Sequence, residues 1–335
     1  NLIIQSGDNV TLNGNVSATG LLDIDATNAV SVTEDKLVKI DSTINVDSAS
    51  FAMASNSTLD VEGAVQIITT GDSTAFNIDS ESSIKIDANN ITTNGVVEAV
   101  ATIDLDSASN TIVNGTLNAI GNVDIDSVAN TEINGTANSD ANLTINANTG
   151  LVANAALSAT DDLLITSNNG SVTLNDSVIA GGNLTIEAIN GLLAEALVQS
   201  GLDLNITSTQ GGVTIKGAVT SFGLLAINAK GNVELNEDVS VALTSTISVN
   251  NDDVDANSNI TINDVFNGDG ITQLIADGSI TTNADLTTLD NLIIQSGDNV
   301  TLNGNVSATG LLDIDATNAV SVTEDKLVKI DSTIN

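Results

Sequence analysis

Apolar and polar residues alternate along this chain in short bursts, a few positions at a time. Pairs of the form apolar-x-apolar stand at Leu2/Ile4, Leu22/Ile24, Ile103/Leu105, Val123/Ile125, Leu143/Ile145, Leu163/Ile165, Leu184/Ile186, Leu204/Ile206 and Leu225/Ile227, and from Ile103 onward they are 20 or 21 residues apart. A second pair follows about eight residues later, as at Val10/Leu12, Val30/Val32, Val172/Leu174, Val213/Ile215 and Val233/Leu235. A third, softer pair comes next, as at Val16/Ala18, Leu117/Ala119, Leu157/Ala159, Val178/Ala180 and Val239/Val241. Alternation of period two in β-branched residues, bounded by Asn, Asp, Gly and Ser, predicts strands. No segment carries a sustained helical stripe, and the nearest candidate, 191–198, falls in register with second and third strands.

Three short strands in about 20 residues, repeated in phase, are one coil of a right-handed parallel β-helix, an all-β solenoid. The pairs point into a narrow prism, and each coil hands its open backbone edge to the next. Proline, which would delete a ladder donor in every coil, is absent. The four aromatic residues, Phe51, Phe76, Phe222 and Phe266, are expected at less regular stretches, because so thin a prism has little room for rings. The phase breaks at about 42–101 and 244–271, where bulged or looped coils are expected rather than separate domains.

A longer repeat encloses the short one. Residues 1–45 recur without a change as residues 291–335. The simplest account is a tandem array with a 290-residue unit, so that 1–290 is one unit and 291–335 opens the next, identical one. A duplication introduced in handling the sequence would give the same identity. One unit would hold about fourteen coils, a rod section on the order of 70 Å at the spacing of adjacent strands. The chain opens at Asn1 in mid-pattern, as a segment cut from a much larger polypeptide would.

Composition narrows the chemistry. Seven Lys face 43 acids, of which 33 are Asp, for a net charge of −36, and there are 44 Asn. His, Cys, Arg, Tyr and Trp are absent. That excludes a Ser-His-Asp triad, a cysteine nucleophile and a soft-ligand zinc site. It also leaves nothing to neutralise phosphates, so nucleic acid is not an expected partner. A β-helical polysaccharide lyase or hydrolase would need cations and sugar-stacking aromatics that this chain lacks, so no enzyme is expected. Hydrophobic residues at 41% argue against disorder, and no apolar run is long enough to span a bilayer. An ice-binding face would need an outward Thr column, whereas the column in second strands reads Thr11, Ser31, Ile112, Glu132, Val152, Thr173, Leu193, Thr214.

Stacking turns outward positions into columns. Asn114, Asn134, Asn154 and Asn175 share the position after the second strand and are expected to form a ladder of amides hydrogen-bonded along the axis. The alternative is that they serve only as turn formers. Glu195 and Lys216 interrupt the column and Asn236 resumes it. Asp104 and Asp106 point outward from one first strand, with Asp124 and Asp126 expected directly above. Such carboxylates repel unless a cation intervenes, which suggests calcium. Asp23 and Asp25 have no predicted acidic neighbour. Asp253, Asp255 and Asn257 have the alternate spacing of a calcium loop, with Asp264 eleven residues after Asp253, although Gly is missing at the sixth position. Solvated, salt-screened carboxylates remain the alternative for both groups. No cofactor is required, and calcium is the one candidate.

The formula Asn-Leu-x-Ile, Val-x-Leu-Asn, Val-x-Ala-x-Gly stands here as Asn1-Leu2-Ile3-Ile4, Val10-Thr11-Leu12-Asn13 and Val16-Ser17-Ala18-Thr19-Gly20. Its opening recurs at Asn142-Leu143-Thr144-Ile145 and Asn183-Leu184-Thr185-Ile186. This resembles the repeats of filamentous-haemagglutinin-type adhesins, secreted β-helical proteins of bacterial surfaces. The resemblance implies an extracellular rod on, or shed from, a cell surface, an adhesin-type stalk or a self-standing filament. The chain departs from those adhesins in lacking Arg-Gly-Asp, a basic heparin-binding patch and a recognisable secretion domain. The expected partners are neighbouring repeats stacked end to end, and like fibres bundled laterally through divalent cations; insertion of this segment into a membrane is not expected. The alternative is a non-covalent filament of subunits stacked head to tail by their β-helix edges.

Overall fold

The computed structural model describes residues 1–250 and 258–335. They form two compact units, Asn1–Asp162 and Leu163–Asn335. Each unit is a parallel β-solenoid of eight coils with three strands per coil and, among the described residues, no helix. In the first unit the three parallel sheets run from Leu2–Ser6 to Leu143–Ala147, from Val10–Leu12 to Gly150–Ala153, and from Val16–Ala18 to Leu157–Ala159. In the second they run from Leu163–Ser167 to Leu312–Ala316, from Val172–Leu174 to Val320–Val322, and from Val178–Ala180 to Val328–Ile330. The stretch 191–198 contributes the strands Leu192–Ala194 and Val198–Ser200, not a helix.

Register follows the apolar pairs. Ile103 and Leu105 lie beside Val123 and Ile125, which lie beside Leu143 and Ile145. Slots of the prism such as these are thereby filled by rows of like side chains, each apolar one worth roughly 1.5–3 kcal/mol of burial. The pairs understate the core, because first strands such as Val123–Ser127 bury three side chains, at alternate positions. The third is small and frequently polar: Ser107, Ser127, Ala147, Ala188, Ser208. Inside the first unit these hydroxyls bond to one another, Thr111 to Ser107 at 2.9 Å, Ser127 to Thr111 at 2.8 Å and Thr131 to Ser127 at 2.9 Å. A buried hydroxyl without a partner is costly. Here two of the bonds close within a coil and the Ser127–Thr111 bond joins adjacent coils, whereas the buried Ser73, Thr93, Ser167, Ser208 and Thr282 hydroxyls make none.

Coils out of phase in the sequence keep their strands and change their corners. Ile44, Val65, Ile84 and Ile103 open successive first strands, at steps of 21, 19 and 19 residues. The long coils carry wider turns before their third strands, where Asp35 and Asn56 take the left-handed conformation at φ 59° and 57°. Asp and Asn tolerate that region because their side chains bond locally. The strands Ser245–Val249 and Ile260–Ile262, on either side of the segment outside the described residues, both stay in register with their neighbours.

The interior does admit rings, contrary to the expectation from composition. Phe51 and Phe266 are buried, at 2% and 0% exposure, while Phe222 lies outside at 60%. Small neighbours make the space. Phe51 stacks beside Ser73. Two residues after Phe266 the inward position is Gly268, where a Cβ would stand 2.7 Å from the Thr272 hydroxyl and 3.6 Å from the Phe266 ring. Replacing Phe266 by Ala empties a slot that its neighbours cannot refill, and a loss of about 3–5 kcal/mol is expected. Phe222→Ala should stay within about 0.5 kcal/mol of the parent. Urea unfolding followed by circular dichroism separates the two; equal losses would show that the buried ring is not a core element.

Candidate functional site

The outward side chains form three kinds of column, each set by the stacking register. At the corners, Asn oxygens accept backbone N–H groups from the neighbouring coil. Asn1 accepts from Leu21 at 3.0 Å, Asn90 from Asn110 at 3.1 Å and Asn15 from Leu37 at 3.0 Å, one example before each of the three strand types. A turn cannot continue the ladder, so the amide supplies the acceptor that the backbone lacks there. These corner residues were not singled out from the sequence, although their position just ahead of each strand was a readable signal.

The second kind follows the second strand. Asn114 donates its amide to Asn94 at 2.9 Å, Asn134 to Asn114 at 2.9 Å and Asn154 to Asn134 at 2.6 Å. Asn175 holds the equivalent position after the strand Val172–Leu174 in the second unit. Farther along, Glu195 and Lys216 occupy the column and form an ion pair at 2.8 Å. The amide column returns with Asn263 donating to Asn236, Asn283 to Asn263 at 2.7 Å and Asn303 to Asn283 at 2.8 Å. Asn94, Asn263, Asn283 and Asn303 extend the set read from the sequence. Glycine follows Asn94, Asn114, Asn134 and Asn303, and where Gly115 stacks on Gly95 the approach is close, since a Cβ on Gly115 would stand 1.8 Å from the Gly95 carbonyl oxygen.

The third kind is acidic. Asp104 lies beside Asp124, and Asp106 beside Asp126, on adjacent first strands. The coil before them places Lys85 beside Asp104, with its ammonium 2.8 Å from Asp104 Oδ2 and 2.5 Å from Asp106 Oδ2. Burial disfavours that ammonium's charge, but the two carboxylates outweigh burial and hold its pKa above the ordinary lysine value. On the far side, Asn146 donates to Asp126 at 2.7 Å. Asp124 has no such cation. Burial raises its pKa above the usual carboxylate value, the Thr144 hydroxyl opposes that, and the charges of Asp104, Asp126 and Asp106 add to the rise. Asp25 acquires an acidic neighbour, Asp47, because the intervening coil is 22 residues long.

Of the proposed calcium loop, Asp253, Asp255 and Asn257 lie outside the described residues. Asp264 follows the strand Ile260–Ile262, and its Oδ1 accepts the N–H of Val265 at 2.8 Å. Among the described residues no group of three or more acidic side chains is arranged to hold a metal ion. A shallow groove of about 380 Å³ runs along the third face of the first unit, with Asp79, Glu98 and Asp140 around Val100 and Ile120. Burial, then the charges of Glu98, Asp60 and Glu81, raise the pKa of Asp79. The groove has acid and apolar surface but no nucleophile paired with a base. No helix among the described residues is long and apolar enough to cross a membrane.

Asp124 gives a pH test with a definite sign. Its folded pKa lies above the unfolded value, so the protonated form is favoured by folding. The stabilisation is present at low pH and is lost as pH rises through the folded pKa. Asp124→Asn should therefore raise the melting temperature at neutral pH. The difference from the parent should close as pH falls through the range just above the ordinary Asp value. A difference independent of pH would show that the cost of the Asp124 charge, from burial first and the neighbouring carboxylates second, is not its origin.

Compared with protein-family models, curated proteins and solved structures, the chain matches none, so its own geometry carries the functional reading.

Proposed function

We propose that this chain is a segment of a structural rod or fibre in a large tandem-repeat protein, extracellular and cell-surface in setting, serving as an adhesin-type stalk or a self-standing filament. The observation that carries the reading is the behaviour of the repeated sequence. Residues 1–45 and 291–335 form corresponding strands: Leu2–Ser6 and Leu292–Ser296, Val10–Leu12 and Val300–Leu302, Val16–Ala18 and Val306–Ala308, Leu22–Ala26 and Leu312–Ala316. A unit that ends in coil geometry able to carry the start of the next copy can be repeated without a linker. The extracellular setting rests on the resemblance to secreted adhesins. The absence of His, Arg, Cys and Tyr from the whole chain supports a non-catalytic role. Denaturing electrophoresis of the native polypeptide should give a mass of several 290-residue units. A native chain no longer than one unit would sink the array.

Charge sets how such rods meet one another. One 290-residue unit has five Lys and 37 acids, a net charge of −32. Repulsion keeps like rods apart at low salt, and divalent cations are the proposed lateral bridge. Light scattering of the chain should rise through a calcium series and fall again on chelation. A flat response would remove lateral bridging.

A further inference from the structure

One 45-residue sequence occurs in this structure in two surroundings. In the second, residues 292–308 are seated on the coil of residues 272–288. Thr272 lies beside Leu292, Leu274 beside Ile294, Ile280 beside Val300 and Leu286 beside Val306. Leu292, Val300 and Leu302 are 0% exposed there. The backbone edge is paired as well: Thr272 donates to the Asn291 carbonyl at 2.9 Å, Ile280 to Asn299 at 2.9 Å and Leu286 to Asn305 at 2.9 Å.

The fit is specific at the corners and not only along the strands. Asn303 donates its amide to Asn283 at 2.8 Å. The Asn305 N–H donates to Asp285 Oδ1 at 2.8 Å, and the Ser279 hydroxyl to Asp298 Oδ2 at 2.8 Å. The bonds from Asn305 hold the Asp285 carboxyl below the ordinary Asp value, and the Asn318 amide first and the Ser279 hydroxyl second do the same for Asp298. The residues that make these corner bonds, Asp298, Asn303 and Asn305, are the twins of Asp8, Asn13 and Asn15.

We infer that the coil of residues 272–288 is a docking surface for the first 45 residues of a second copy of this chain, in the register that residues 291–335 display. The inference rests on taking the two identical segments as interchangeable. The second copy brings to that surface the same backbone edge, the same apolar row and the same three corner residues. Identical segments compete for one seat, so a chain whose own 291–335 is displaced becomes linked to the next through 1–45, and the step repeats head to tail.

The native absence of cysteine makes the test clean. Gln273 lies beside Ile293, the twin of Ile3, and all three positions face outward from their strands. Registered neighbours in adjacent strands are about 4.8 Å apart, within disulfide range. The full chain carrying Ile3→Cys and Gln273→Cys is refolded at rising concentration and oxidised, which traps even a small linked population. A ladder of dimers and higher species is expected on non-reducing denaturing gels, several-fold stronger than for Thr11→Cys with Gln273→Cys, and peptide mapping should join position 3 to position 273. Gln273→Cys with Ile293→Cys should close within one chain, and circular dichroism checks that every variant folds. The inference is overturned if that pair closes while the first gives no more ladder than the Thr11 pair. It is overturned equally if the Gln273 and Ile293 pair does not close, since the register would then be wrong. Equal ladders from both intermolecular pairs would mean unspecific edge stacking and would also overturn it. None of these outcomes depends on the native mass, which tests the covalent array separately.

Discussion

A coil of this protein has no stability of its own; what it has is an edge. Its three strands lie on three different sheets, so each strand's ladder hydrogen bonds go to the coils before and after it and none close within the coil. The strand backbone is paired with sequence of the adjacent coils, mostly about 20 positions away. Everything else follows from keeping that register. Apolar side chains must stack on apolar ones, corners must supply acceptors where the ladder is interrupted, and outward residues must tolerate a copy of themselves at one strand spacing. The abundance of Asn answers the last two demands at once. Its amide is both donor and acceptor, so it can accept a neighbour's backbone N–H at a corner or pass a hydrogen bond along a column.

The register constrains volume as well. A larger side chain in one coil cannot push its neighbours aside, because they are pinned on both sides by their own ladders. Compensation therefore has to be local and small: Ser73 beside Phe51, Gly268 close to Phe266. Length is absorbed differently. Corners lie outside the ladder, so a coil can gain one or two residues in a left-handed turn at Asp35 or Asn56 while its strands stay in place. The strands are rigid in register, and variation is pushed to the corners.

This division explains what could be read from the sequence. Strands whose inward residues are Leu, Ile and Val announce themselves by alternation, and the fold class, the three strands per coil and the spacing of about 20 residues were legible from them. Strands with polar inward residues, such as Ser245–Val249 and Thr272–Ala276, carry half the signal, because a buried Ser or Thr looks like a surface residue until its partner is known. The Asn column was legible where coils keep one length. The Lys85 contact was not, since it depends on a 19-residue step that shifts the phase before Asp104. The pairing of Asp25 with Asp47 was lost to a 22-residue step for the same reason. The rings inside the prism were missed because room for them comes from Ser73 and Gly268, which belong to other strands or other positions and have no apolar pattern of their own.

The acidic columns show how far register can override electrostatics. Asp104, Asp106, Asp124 and Asp126 are held at one strand spacing because the strands beneath them are fixed by their inward rows, not because the carboxylates attract. The chain relieves the strain with what lies in the next coils: an ammonium from Lys85 on one side, an amide from Asn146 and a hydroxyl from Thr144 on the other. With seven Lys for 43 acids there are too few such partners for every column, and the surplus charge must be met by solvent and counterions. The same hydrogen-bonded stacking that makes the core indifferent to solution conditions therefore leaves an outer surface whose interactions depend on them. That charged surface is where the ionic surroundings act, while the apolar rows and backbone ladders continue unchanged beneath it.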